Sequence, residues 1–113
     1  MSFFTNEMDN RNEKAARLIW ESAAEFLVRE AGPQSLITVT SVVVSSDFSY
    51  ATIYFTVLPE EKEEGALGLA HRHVEDFKYY LKTRAKLPRT PHIEFKIDKG
   101  QKNFERLQEL DLG

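Results

Sequence analysis

The chain has 113 residues, no cysteine, 42% hydrophobic residues and a formal net charge of −3. These values are ordinary for a soluble globular protein with one modest core, and the lack of cysteine excludes disulfides and cysteine-based metal sites. Met1–Asn10 lacks the basic region and long apolar run of a signal peptide, and no stretch is long enough to span a membrane, so the cytoplasm is the expected compartment.

The first predicted element is an amphipathic helix over about residues 11–30, which Gly32-Pro33 ends. Residues 1–9 are expected to form a flexible tail, and residues 10–113 a single domain. Asn10 is a suitable N-cap, and Glu13 completes a capping box. Apolar side chains then recur at helical spacing, at Ala16, Ile19, Trp20, Ala23, Phe26, Leu27 and Ala31.

The stretch from Ile37 to Leu58 predicts a β-hairpin, because β-branched and aromatic residues dominate it. In the first arm the alternation shifts phase after Val39, which predicts a β-bulge near Ser41. Asp47 and Ser49 are expected to form the turn, since their side chains can bond nearby amides. The second arm alternates cleanly, so one face should meet a core through Ala51, Ile53, Phe55 and Val57.

A second helix should follow Pro59 and an acidic run, and reach about residue 86. Whether it bends in the middle cannot be predicted from composition. The alternating stretch from His92 to Asp98 predicts a third strand, and Phe104, Leu107 and Leu110 suit a short terminal helix packed on the domain. The order α-β-β-α-β-α therefore predicts an α+β sandwich of two layers, with both long helices on one face of a three-stranded mixed sheet.

No catalytic or metal-binding set stands out in the sequence. The glycines fit no phosphate-binding fingerprint, and the serines lack the context of a hydrolase nucleophile. His71 and His73 point to nearly opposite sides of a helix, and His71 with Glu75 would supply only two ligands to a metal. Neither a cofactor nor a metal is expected, and a small enzyme is the least supported functional hypothesis.

Positive charge is concentrated between Phe77 and Lys99, a stretch that contains seven basic residues and only two acidic ones. A partner responds to this local field more than to the total charge, because exposed charges beyond about 10 Å are screened. A basic ridge suits an RNA backbone, and the adjacent Tyr79 and Tyr80 would either stack on bases or pad the core. A solvated helix face would carry the same charges, so that alternative stays open.

Lys78, Lys82, Lys86 and Arg89 are spaced three to four residues apart, so they would form this ridge provided that helical order persists. Arg84 lies to the side of this ridge, and Arg72 is an outlier. The predicted RNA-binding residues are Arg72, Lys78, Lys82, Arg84, Lys86 and Arg89.

Nearly the whole chain, from about residue 11 to residue 110, is similar in order to one bacterial protein family. In the first helix the likeness is carried by Arg17-Leu-Ile and Phe26-Leu-Val-Arg-Glu. In the hairpin it is carried by Val42 to Leu58, with a Ser-x-Asp turn and an Ala-Thr-Ile-Tyr-Phe strand. Near the end of the chain it is carried by Leu87-Pro-Arg-Thr-Pro-His-Ile-Glu-Phe-Lys-Ile-Asp and by Phe104-Glu-Arg-Leu-Gln-Glu-Leu. Together they resemble the ribosome-binding factor A family.

The resemblance implies a type II KH-like fold and a non-catalytic, cofactor-free role in ribosome maturation. It implies binding to the free small (30S) ribosomal subunit near the 5′ end of 16S rRNA at a late assembly stage, with roles in rRNA processing and cold adaptation. A monomer without membrane contact is expected, and an assembly GTPase is a candidate partner.

The sequence departs from the family pattern in two respects. His73-Val74-Glu75 aligns with the Ala-x-Gly kink that is usual in the family's long helical region, and a KH motif's glycine-rich phosphate clamp is also missing. The chain is also acidic overall and lacks a long basic tail. The rival hypothesis is therefore a protein-interaction module of similar shape that uses the polar sheet face or a strand edge.

Overall fold

The computed structural model describes residues 10–87 and 89–100. Its elements in chain order are α1 (Asn10–Ala31), β1 (Leu36–Val44), β2 (Tyr50–Leu58), a 3₁₀ turn (Glu60–Lys62), α2 (Glu63–Arg72), α3 (Val74–Tyr80), a π-helical turn (Leu81–Ala85) and β3 (His92–Ile97). The sheet order is β1-β2-β3, with β1 antiparallel and β3 parallel to β2. This confirms the α+β prediction with a three-stranded mixed sheet. The predicted tail and terminal helix lie outside the described residues.

The hairpin forms as its residue pattern predicts. The pairing register shifts between Val39 and Ser41, so the predicted bulge is confirmed. In the turn, Asp47 Oδ1 accepts hydrogen bonds from the Ser49 amide at 3.1 Å and the Ser45 hydroxyl at 2.9 Å. These bonds close the turn even though Phe48, between the two turn residues, adopts a left-handed φ of 61°.

The core lies between the sheet and the helices. The buried residues of β2 are the four that alternation predicted, Ala51, Ile53, Phe55 and Val57. Phe77 of α3 is fully buried, and its ring lies 5.2 Å from that of Phe26 on α1 and 5.4 Å from that of Phe95 on β3. This aromatic cluster packs α1 and α3 on one face of the sheet, and Ala66 and Ala70 of α2 are buried in the same core.

The second long helix is interrupted rather than continuous. At His73 the backbone leaves helical geometry, with φ −106° and ψ 17°, and its imidazole Nδ1 lies 2.9 Å from Asp76 and 3.8 Å from Glu30 of α1. The helix is thus interrupted at His73, the first residue of the stretch that the resemblance aligns with an Ala-x-Gly kink. The helical region ends at Lys86, which adopts a left-handed conformation with φ 57° and donates its amide to the Leu81 carbonyl.

Candidate RNA-binding surface

Five of the six predicted RNA-binding residues lie at the carboxyl end of the interrupted helix or just beyond it. We call Lys78, Lys82, Arg84, Lys86 and Arg89 the helix-end cations. All but Lys78 are exposed. The condition for a single ridge is not met, because α3 ends at Tyr80, the next turn is π-helical and Arg89 lies in the loop before β3.

Lys78 is the most restrained of the helix-end cations. Its side chain is 31% exposed, and its Nζ lies 3.6 Å from a carboxylate oxygen of Glu75, one helical turn earlier. Glu75 itself is 86% exposed, so the pair is a surface ion pair and holds Lys78 only weakly. Lys78 would therefore exchange Glu75 for a phosphate at small cost.

Tyr80 joins the helix-end cations to α1. Its hydroxyl donates to a carboxylate oxygen of Glu25, and this bond, followed by burial, raises the pKa of the Tyr80 phenol. The guanidinium carbons of Arg29 and Arg84 lie 5.3 and 5.5 Å from the ring centroid, within the range of cation–π contact. Tyr80 thus contacts Arg84 and also Arg29 of α1.

Arg29 is the residue at this surface that sequence reasoning missed. It lies in the last turn of α1, where a basic residue is expected because it interacts favourably with the negative end of the helix dipole. No local pattern indicates that the end of α1 meets the π-helical turn, because the two are separated by the whole hairpin. Arg29 is exposed, so it adds a cation to the surface that Arg84 presents.

The two adjacent tyrosines, left open by the sequence, have different environments. Tyr80 is half-buried, and its ring lies 5.8 Å from Phe26 in the core. Tyr79 is 69% exposed, and its carbonyl accepts a hydrogen bond from the Thr83 hydroxyl at 2.9 Å. Tyr79 is therefore the ring of the pair that is available to stack on a base.

The remaining cations of the basic stretch do not join this surface. Lys96 and Lys99 lie between α2 and β3, and Lys99 Nζ is 3.4 Å from Glu63 Oε1. Arg72 is exposed at the end of α2, beyond the break at His73, and its guanidinium approaches Gly68. The stretch of seven basic residues is thus divided between two places.

The histidines have structural partners. His71 Nε2 lies 3.1 Å from the Phe95 carbonyl oxygen, so the ring nitrogen is the donor and ties α2 to β3. His73 faces Asp76 and Glu30 at the break between α2 and α3. Among residues 10–87 and 89–100, no group of three histidines or acidic side chains is arranged to hold a metal ion. In the same part of the chain, no helix combines the length and apolar character needed to cross a bilayer.

Comparison with known proteins identifies the family. The family model described as ribosome-binding factor A matches residues 11–111. The chain is 36% identical to ribosome-binding factor A of Prochlorococcus marinus over 95 residues, covering 80% of this chain and 77% of that protein. It is 32% identical to the Flavobacterium johnsoniae protein of the same name over 110 residues, covering 92% and 85%.

A solved structure agrees with this match. The crystal structure of ribosome-binding factor A from Thermus thermophilus is similar, with a TM-score of 0.63 and 27% identity, over 75% of this chain and 92% of that one. The fold and the sequence thus point to the same relatives. The chain belongs to the ribosome-binding factor A family.

Proposed function

We propose that this protein is a non-catalytic ribosome maturation factor that binds the small (30S) ribosomal subunit through 16S rRNA. In this role it assists late assembly and processing of the 5′ end of 16S rRNA, in the cytoplasm and without a cofactor. The observation that carries the proposal is the family match over residues 11–111, and the helix-end cations supply a surface suited to a polyanion.

The binding chemistry depends on the arrangement of that surface. Phosphate contacts from lysine and arginine displace condensed counterions, so binding should weaken steeply as salt is raised. Arg84, ordered over the Tyr80 ring, has a planar fork that matches a phosphate, whereas Lys82 acts as a mobile point charge. Tyr79 would add a stacking contact with an unpaired base. Arg72 would make a separate contact near the break between α2 and α3.

Two co-sedimentation measurements test the proposal. On a sucrose gradient, the protein should travel with free small subunits and not with assembled ribosomes. Replacing Lys82 and Lys86 by alanine should then release it from small subunits at moderate salt. Sedimentation of the double variant that is indistinguishable from the parent would remove these two residues from the rRNA surface, and migration with assembled ribosomes would contradict an assembly role.

A protein-interaction module remains the second candidate, because the helix-free face of the sheet carries apolar side chains. Leu36 and Leu58 are paired across the hairpin and are 61% and 60% exposed. An exposed apolar patch can mark a protein-binding surface. Binding to small subunits that survives substitution of the helix-end cations but is lost in Leu36→Ser/Leu58→Ser would favour this candidate.

A further inference from the structure

Two exposed aromatic side chains lie side by side where β2 and β3 begin. Tyr50, the first residue of β2, is paired in register with His92, the first residue of β3. Their ring centroids are 5.4 Å apart with an interplanar angle of 73°, which is an edge-to-face arrangement. Tyr50 is 60% exposed and His92 is also exposed, so this aromatic pair faces solvent and is not part of the core.

The backbone that carries the aromatic pair is held by hydrogen bonds. The Tyr50 amide donates to the Ser45 hydroxyl oxygen at 2.9 Å, and the His92 amide donates to the Ser49 carbonyl oxygen at 2.9 Å. Pro91, immediately before His92, is fully buried. The two rings are therefore attached to an ordered backbone, and a ligand that stacks on them meets a preorganised surface.

The aromatic pair adjoins the helix-end cations. Arg89 is exposed and precedes His92 by three residues, so their Cα atoms are at most about 11 Å apart. Because β2 and β3 are parallel, the loop that carries Arg89 enters the sheet at the same end at which Tyr50 lies. A nucleic-acid strand bound at Arg89 can thus continue onto the aromatic pair.

The charges near the aromatic pair favour a base there and a phosphate at Arg89. Two exposed carboxylates are close in the fold, that of Asp47 in the hairpin turn and that of Glu94, two residues after His92 on the same face of β3. They oppose a phosphate placed directly over the rings. A nucleobase is neutral and stacks through its π-face, so the carboxylates do not exclude it.

We propose that Tyr50, braced by the edge-to-face contact with His92, is a stacking site for an unpaired base of rRNA, next to a phosphate contact of Arg89. This inference rests on the RNA-binding function proposed above, and it adds a base contact on the sheet to that of Tyr79 on α3. A tyrosine supplies a large flat contact at low conformational cost, because only two side-chain torsions are fixed. Every base has a π-face, so the site accepts any of the four.

Affinity for small subunits, measured over a range of salt concentrations, tests the stacking site. Tyr50→Thr removes the ring and keeps a residue that favours strands, so binding should weaken about fivefold or more. The slope of log K against log salt should stay at the parent value, because no phosphate contact is lost. Arg89→Gln should instead lower that slope by about 0.7.

Two further variants serve as controls. Tyr50→Phe keeps the ring and should bind like the parent, since stacking does not use the hydroxyl. Leu36→Thr replaces a side chain of similar exposure, 61%, at the opposite end of the hairpin, and should also bind like the parent.

Three results would overturn the stacking site. One is parent-like affinity in Tyr50→Thr. Another is an equal loss in Tyr50→Phe, which would assign the contact to the hydroxyl, and the third is an equal loss in Leu36→Thr, which would assign it to the sheet face as a whole. A parent protein that does not bind small subunits would contradict the proposed function itself, so the parent measurement separates the two failures.

Discussion

Glu75 lies beside Lys78 and competes weakly with an anionic partner for its charge. The two side chains are three residues apart on α3, with 3.6 Å between Lys78 Nζ and Glu75 Oε2. An exposed ion pair of this kind contributes about 0–1 kcal/mol, and a negative charge beside the helix-end cations also opposes an approaching phosphate.

We therefore expect Glu75→Gln to strengthen binding to small subunits by up to about fivefold at low salt, since 1 kcal/mol corresponds to that factor. Filter binding or fluorescence anisotropy would measure it. Glu61→Gln, the same substitution at an exposed residue of the 3₁₀ turn, is the matched control and should change affinity less. Weaker binding in Glu75→Gln would show that Glu75 orders Lys78 productively instead of competing for it.

Asp47 gives the hairpin turn a dependence on pH. Hydrogen bonds from Ser49, and then from Ser45, hold the pKa of the Asp47 carboxyl below its usual 3.8. Because the folded pKa is depressed, the stabilisation is present above the unfolded pKa and is lost as pH falls through the folded one.

The urea midpoint of Asp47→Asn should therefore lie below that of the parent at pH 7, and the difference should narrow at pH 3 as the parent carboxyl protonates. Circular dichroism during urea unfolding at the two pH values gives the comparison. A difference that stays constant or widens toward acid would refute the charge-assisted turn.

At the scale of elements, the features set by interactions between residues close in sequence were predictable, and those set by contacts between distant elements were not. The hairpin, including its bulge at Ser41, was predictable because strand alternation and turn chemistry are local. Helix propensity did not predict the break at His73, where the side chain contacts Glu30 of a helix distant in sequence. The approach of Arg29 and Arg84 to the same Tyr80 ring is likewise a contact between elements that are distant in sequence.

Lys86 combines a backbone role with a proposed RNA contact, and Lys86→Gly separates the two. Its left-handed φ of 57° costs a non-glycine residue about 1–2 kcal/mol, so glycine should leave the free energy of unfolding unchanged or raise it. Binding to small subunits should weaken nonetheless, because a cation is lost. Urea unfolding and anisotropy on the same preparation would measure both effects.

Lys86→Asn supplies the companion variant, because asparagine tolerates the left-handed conformation and also lacks the charge. Both variants should bind alike. Weakened binding in Lys86→Gly together with a large loss of stability would instead assign Lys86 a structural role in ending the helix.

At the scale of the whole molecule, the decisive feature is an uneven charge distribution in a chain with net charge −3. The folded protein does not gather all seven basic residues between Phe77 and Lys99. The helix-end cations lie at one end of the helical region. Lys96 and Lys99 lie between α2 and β3, close to Glu63, Glu64 and Glu94. Arg29 adds to the first group from α1. Binding should therefore depend on where a cation lies and not on the total charge.

The salt dependence of binding to small subunits tests this dependence on position most directly. Lys82→Gln/Arg84→Gln is compared with Lys14→Gln/Lys62→Gln, which removes the same charge from exposed positions elsewhere. We predict that the slope of log K against log salt falls by about 1.5 in the first variant, at roughly 0.7–0.9 per lost phosphate contact, and stays at the parent value in the second. Equal slopes in all three proteins, or an equal fall in both variants, would contradict a localised binding surface.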